Sequence, residues 1–299
     1  MTGTVVVAGV ANVQQTVPVA GFPVVYEPVR YLPHGLRLEA AGVGLNVART
    51  LRALGSPAVL ATFVGGDPAG ALVRAELDRV GLPGGAVLPS SGTPSSVVLV
   101  DPHGARQIHT DLKDVPDAEY PPSSFAELLA GARLAVLTTV GFARPLLPVA
   151  QAAGVPVAVD LQTITDPDDP YSQPWLKAAD IVFCSAERLG TAPADVARAV
   201  LDRFPARIVV VGLGADGVLL ATRDRPARRI PAVAPHGVID TTGAGDALFA
   251  GFLHYWLAAG DADAAAEHAV VVAGCAVGTA GAASHVTAAH VAALLAATG

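Results

Sequence analysis

Sulfur is scarce in this chain, with two cysteines and one methionine in 299 residues. Cys184 and Cys275 lie far apart in apolar surroundings, with no spacing typical of a metal site. That excludes a disulfide framework and leaves two small buried hydrophobes in a reducing compartment. Aromatics are also few, at 5% against 52% hydrophobic residues overall, so the core has to be built from Val, Leu and Ala. Basic charge is in deficit: 19 Lys and Arg face 26 Asp and Glu, a net charge of −7. Nucleic-acid binding needs clustered Lys and Arg, so it is not expected. The richest basic stretch, "TRDRPARR" at Arg223 to Arg229, has no aromatic interleaving and reads as a solvated hairpin edge.

Charge is missing altogether from His268 to Gly299, where Gly274 and Gly278 form a G-x-x-x-G. Taken alone, that pattern suggests a membrane helix. The segment nevertheless carries three His, several Thr and a glycine-rich break, and a span needs about 20 consecutive apolar residues. Small residues on a helix packed close against a sheet explain it better. The opening "MTGTVVVAGV" has no basic leader before a strand pattern, so a signal peptide is not expected and a cytoplasmic protein is.

The chain does contain a regular alternation. Short β-branched runs ("TVVVAGV", "AVLATFVG", "LAVLTTVG", "VPVAVDL", "DIVFCS", "RIVVVGLG") are separated by segments of helical period, such as Ala69 to Val80 and Ala192 to Phe204. Strands apolar on both faces and separated by helices predict an α/β fold, a parallel sheet covered on both sides. Ligands in such folds gather at the carboxyl ends of the strands. Two stretches break the alternation, at about 12–40 and 93–113, the second a hairpin around "DPHG". They are expected to form a small β lid on a single domain spanning 1–299.

One turn concentrates the chemistry. In "VIDTTGAGDALFAG" a strand end, a glycine-rich turn and a helix carry Asp240 and Asp246. Gly243, Ala244 and Gly245 let backbone amides point inward at a positive helix end, which makes an anion site. Asp246 is then either a catalytic carboxylate or a helix cap, and Asp240 either a ligand or a turn cap.

Motifs along the rest of the chain bear on that choice. "DTTGAGD" resembles the C-terminal signature of the ribokinase-like sugar kinases, the PfkB family, and "AAGVGLNVARTLRALG" (Ala40 to Gly55) resembles the family's other signature. "VVGLGADGVLL" is similar to the family's nucleotide-binding turn and "VGTAGAASHV" to its closing loop, all in family order. The resemblance implies a ribokinase-like fold and ATP-dependent phosphorylation of an alcohol. It makes Asp246 the base, with the amides of Gly243, Ala244, Gly245 and Asp246 around the transferring phosphoryl group. Gly42 and Asn46 become sugar-hydroxyl contacts, the bland alternative for Asn46 being a helix N-cap. Gly212, Gly214 and Gly217 pass close to the nucleotide, the alternative being a plain hairpin turn. The resemblance also implies Mg2+ with ATP, and it places K+ at Asp240, Thr242 and Ser284.

The chain departs from the family at informative places. Relatives carry an Asp after the first strand to grip substrate hydroxyls, whereas "AGVANVQQTV" offers Asn12 and Gln14, with Gln14 at the matching position. Of the family's Asn-x-x-Glu, only Glu187 supplies an acid. Gln162 and Ile164 stand where some acid-sugar and sugar-phosphate kinases have Asn and Arg. Lid residues Tyr26, Arg30, Tyr31, Arg106, His109, Asp111 and Lys113 read as a small lid core or a homodimer contact, with base or sugar stacking as the alternative. A small sugar is the leading acceptor. A nucleoside kinase of the same fold and a non-catalytic sugar- or nucleotide-binding regulator are the alternatives.

Overall fold

A computed structural model describes residues 3–281 and 286–298. Its first half runs β1 (Thr4–Ala8), β2 (Asn12–Pro18), β3 (Arg37–Ala41), α1 (Val43–Leu54), β4 (Ala58–Gly65), α2 (Pro68–Arg79), β5 (Val87–Ser90), β6 (Ser95–Val100), β7 (Arg106–Asp111), α3 (Pro122–Leu129) and β8 (Ala132–Thr138). The second half runs α4 (Leu147–Ala152), β9 (Val157–Thr163), α5 (Gln173–Ala178), β10 (Ile181–Ser185), α6 (Pro193–Arg203), β11 (Ile208–Gly212), β12 (Val218–Thr222) and β13 (Arg228–Ile230). The helices α7 (Ala244–Ala259), α8 (Ala262–Val277) and α9 (Ala288–Thr298) close the chain.

The large sheet has the order β13-β12-β11-β10-β9-β8-β1-β4-β5. It is parallel from β5 to β11, and β12 and β13 add an antiparallel edge. Alternation along β1 shows why both faces are apolar. Val6 and Ala8 enter a core with Phe125, Trp175 and Leu201. Val5 and Val7 enter another with Leu45, Phe249 and Ala266. Successive side chains point to opposite faces, so each face needs its own layer of helices. Few aromatics fill these layers, and the largest fully buried ones are Trp175, Phe125, Phe142, Phe249 and Phe252.

The two stretches without helical period form the second sheet, β3-β2-β6-β7. β6 and β7 pair antiparallel on either side of the expected hairpin, from Ser95↔Asp111 to Val100↔Arg106. The second stretch is pinned where it leaves the core. The Asp67 carboxylate caps α2 through the Gly70 amide (2.7 Å) and accepts from the Thr93 hydroxyl and amide at 2.6 and 2.8 Å. Those bonds, the Thr93 hydroxyl first, hold its carboxyl down to about 2. The lid aromatics do not build a lid core. Tyr26 and Tyr31 are 85% and 87% exposed on the loop between β2 and β3.

The arginine-rich edge is less free than the sequence suggests. Arg225 and Arg228 of the β12–β13 edge pair with Asp263 on α8, and Arg228 also reaches Glu267. Among the described residues no helix is long and apolar enough to cross a membrane. The apolar C-terminal region is α8 and α9, with Ala265, Ala266 and Ala269 of α8 packed in the sheet core.

Candidate active site

The anion turn is built as its glycines require. Gly243 caps α7 in the left-handed region, at φ 74° and ψ 4°, and contributes no side-chain capping bond. The helix begins at Ala244, so Asp246 is the third helical residue and is not the cap. The Ala244 amide turns back to the Thr241 carbonyl at 3.3 Å, a long bond. The following amides belong to the first turn, where no intrahelical acceptor exists. Behind the turn, Phe249 of α7 packs on Phe183 of β10 with ring centroids 4.7 Å apart, which seats the helix on the sheet.

Asp246 has a defined partner. The Asn46 side-chain amide donates to its Oδ2 at 2.6 Å, and Arg49 Nη2 donates to Asn46 Oδ1 at 2.7 Å. Arg49 is almost fully buried and also donates to the Ala40 carbonyl at 3.0 Å. The result is a relay from Arg49 through Asn46 to Asp246 that fixes the carboxylate. Burial pushes the Asp246 carboxyl up to about 6, although the Asn46 bond and the Arg49 charge pull the other way. Asp160, midway along β9, is pushed up to about 7 by burial and by the nearby Asp246 charge. The site therefore holds two carboxyl groups whose environments keep them near neutral pH, the usual signature of working acids and bases.

Asn46 reaches this position through α1. The helix starts at Val43 with Gly42 as its cap, so Asn46 lies one turn inside and is not an N-cap. Gly42 has φ 103°, and a Cβ there would stand 2.5 Å from the Val10 carbonyl oxygen. The close approach of α1 to the β1–β2 turn is what aims Asn46 at the start of α7.

The expected substrate residues lie on the inner lid strand. Asn12, Gln14 and Thr16 alternate along β2 on one face, and all three are buried. Asn12 donates to the Ser96 hydroxyl at 3.2 Å. Asn12 Oδ1, Gln14 Nε2 and Thr16 Oγ1 have no hydrogen-bond partner within the described protein. Buried polar atoms are nearly always paired, so three orphans in a row are an exception that calls for a partner. Thr16 was not anticipated from sequence, and its signal was simply its two-residue spacing from Gln14.

The expected nucleotide residues stand at the neighbouring strand ends. Gly212 ends β11, and a Cβ there would meet Leu248 of α7 at 4.0 Å. Gly214 opens the turn to β12, and Gly217 closes it at φ 91°, where a Cβ would collide with the Ile230 carbonyl. The hairpin alone thus accounts for Gly217. Glu187 is exposed in the short 3-10 turn after β10.

Asp240 is surrounded by donors. Its Oδ1 accepts from the Thr242 amide at 2.9 Å, and its Oδ2 accepts from the Gly281 amide at 3.0 Å and from Arg37 of β3. Burial pushes this carboxyl up, but those bonds and the Arg37 charge outweigh it and hold it below the usual range. Thr242 is buried beside it, and Ser284 lies outside the described residues. Arg37 and Arg49, like Thr16, are site residues that sequence reasoning passed over. The one hint for Arg49 was a guanidinium one turn after Asn46 on a buried helix face.

A family model described as "pfkB family carbohydrate kinase" matches residues 3–289. The chain belongs to the pfkB family of carbohydrate kinases. It has the ribokinase-like fold of that family, and it is a phosphotransferase with an alcohol group as acceptor. It is 34% identical over 257 residues to an acarbose 7(IV)-phosphotransferase of Actinoplanes sp., covering 85% of each chain. It is also 32% identical over 268 residues to an ATP-dependent ribose-1-phosphate kinase of Halopiger xanaduensis, covering 87% of each. Among solved structures, a microbiome-derived acarbose kinase superposes with a TM-score of 0.87 at 29% identity, covering 98% of this chain and 99% of that one. The ribokinase from Giardia lamblia superposes with a TM-score of 0.85 at 19% identity over the full length of both chains, a likeness of fold alone.

Proposed function

We infer that this pfkB-family protein transfers the γ-phosphate of ATP to a hydroxyl of a small sugar or sugar-like polyol, with Asp246 as the general base. The observation that carries the reading is the Asp246 carboxylate. It is held by Asn46 at 2.6 Å and raised to about 6, at the first turn of the helix that Gly243 opens. A base with that affinity for protons is ionised at neutral pH and can still take the acceptor's proton. The first-turn amides from Gly243 to Asp246 stabilise charge on the transferring phosphoryl group, since phosphoryl transfer depends mainly on positioning and electrostatics. Asp160, neutral over much of the same range, leaves Asp246 the carboxylate that ionises first.

Asn12, Gln14 and Thr16 bind the acceptor's hydroxyls, with Gly42 and Asn46 on its other side. Amides and hydroxyls both donate and accept, so this row suits a neutral polyol. The likeness to two acarbose kinases makes acarbose-type pseudo-oligosaccharides the first acceptors to test. ATP lies along the ends of β10 and β11, by Gly212 and Gly214. Magnesium, when bound, screens the charge of the triphosphate. Glu187 is an exposed oxygen donor at that edge and fits a hydrated magnesium ion. Potassium fits less well. The Asp240 carboxylate already carries Arg37, so the guanidinium supplies the positive charge that the family resemblance assigned to K+.

The test is ATP-dependent phosphorylation of a panel containing acarbose, ribose, ribose 1-phosphate and nucleosides. One neutral sugar or pseudo-sugar should be preferred. Asp246→Asn should lower kcat by about 10²–10⁴-fold with ATP binding retained. Phosphorylation of nucleosides alone would overturn the acceptor assignment, and a mutant with most of its kcat would overturn the base.

A further inference from the structure

The G-x-x-x-G of the C-terminal region has a role that has nothing to do with membranes. Gly274 and Gly278 form a notch along one face of α8 that the loop before α7 fills. A Cβ at Gly274 would lie 2.0 Å from the Val233 carbonyl oxygen, and one at Gly278 would lie 2.8 Å from Cβ of His236. The loop is also hydrogen-bonded there, through the Ile239 and Asp240 amides to the Val277 carbonyl at 2.7 and 3.1 Å. This seating brings His236 over Cys275, and α9 brings His290 to the same point. A nitrogen of each imidazole and the Cys275 sulfur all lie within 4.8 Å of one another. The two rings face each other with centroids 5.4 Å apart and planes 33° apart.

We propose that His236, Cys275 and His290 form a binding site for a zinc-type divalent cation, separate from the phosphoryl-transfer site. The donor set decides the class of ion. Two imidazoles and a thiolate suit Zn2+ and its neighbours in the transition series, whereas Mg2+ requires oxygens. Tetrahedral zinc with bonds of about 2.0–2.3 Å needs its ligand atoms about 3.3–3.8 Å apart. The cluster closes to that size with a movement of about 1 Å, and the two histidines are exposed. Cys275 is in the last turn of α8, where the negative end of the helix favours a cation. Three protein ligands leave the fourth position to water.

The consequence is mechanical. A metal here ties α8, α9 and the 233–240 loop together, and that loop leads straight into Asp240 and the anion turn. The site thus clamps the approach to the phosphoryl-transfer site without touching the acceptor. On sequence, the three ligands come from separate regions, so no local spacing marks them.

The test uses the full chain stripped of metal and titrated with Zn2+ against a chromophoric chelator, in excess Mg2+ and without nucleotide. One equivalent should bind, and Co2+ in its place should give a tetrahedral spectrum with a thiolate charge-transfer band. Cys275→Ser should abolish that band. His236→Gln and His290→Gln, both at exposed positions, should each weaken binding by about 100-fold or more while leaving the metal-free melting temperature unchanged. Zn2+ should raise the melting temperature of the parent protein and not of the histidine variants. Cys184→Ser should bind as the parent does. No stoichiometric binding, or equal affinity in the parent and both histidine variants, would overturn the proposal.

Discussion

Asn46 offers the sharpest test of how this site sets the basicity of Asp246. Its side-chain amide donates to Asp246 Oδ2 at 2.6 Å and is itself polarised by the buried Arg49. A hydrogen bond to a charged group is worth about 1.5–3 kcal/mol, and 1.36 kcal/mol corresponds to one pKa unit. Asn46→Ala should therefore raise the Asp246 carboxyl by about 1–2 units above its position of about 6. The assay is kcat/KM for the acceptor against pH at saturating Mg-ATP. Activity of the parent should fall tenfold per unit below pH 6, because the protonated carboxyl cannot accept the acceptor's proton. In Asn46→Ala that limb should move to about 7–8. The displacement of the limb is the readout, because Asn46 is also proposed to contact an acceptor hydroxyl, and KM should rise for that reason alone. Thermal melting checks that Arg49, which keeps the Ala40 carbonyl, still holds the fold. A limb that stays in place while overall activity drops would refute the relay. A parent enzyme with no limb near 6 would refute the base.

Gln14→Ala should raise the acceptor KM by roughly 3- to 10-fold, the loss of one net hydrogen bond, and leave the KM for ATP unchanged. Because Gln14 Nε2 has no partner in the protein, the melting temperature should hardly change, and a shared rise in both KM values would refute the assignment. Asp160→Asn tests the buried carboxyl through stability. Its folded pKa, about 7, lies above the ordinary carboxyl value of 3.8, so folding favours the neutral form and wild-type stability is lost as pH rises from 3.8 to about 7. Asp160→Asn should thus exceed the parent by up to about 4 kcal/mol above pH 8 and match it near pH 4, and a gap equal at both pH values would refute it. Activity in sodium, potassium and tetramethylammonium buffers should be equal for the parent. Arg37→Ala should become potassium-sensitive by freeing Asp240, and strong activation of the parent by potassium would refute the substitution of guanidinium for cation.

What the sequence made legible follows from the range of the forces involved. The six β-branched runs became β1, β4, β8, β9, β10 and β11, because strands buried on both faces leave no polar alternation to confuse the reading. The strand that went unseen, β5, is a short edge strand of four residues whose pairing depends on neighbours rather than on pattern. Gly243 announced itself because a positive φ is a local demand that only a few residue types meet. Arg37 and the cluster around Cys275 did not, because their partners lie far away in the chain, and Arg49 did not, because its part in the relay depends on the bond from Asn46 to the distant Asp246. The functional consequence of Asn46 likewise depends on a residue two hundred positions later. The motif order along the chain supplied that long-range information for Asn46 and Asp246. It could not do so for Arg37, which joins strand β3 of the small sheet to Asp240 and so to the turn proposed to receive the phosphate. An ion pair that joins the lid to the anion turn gives the lid an electrostatic reason to settle over that turn, and it gives this chain a route to order the turn that does not depend on an added cation.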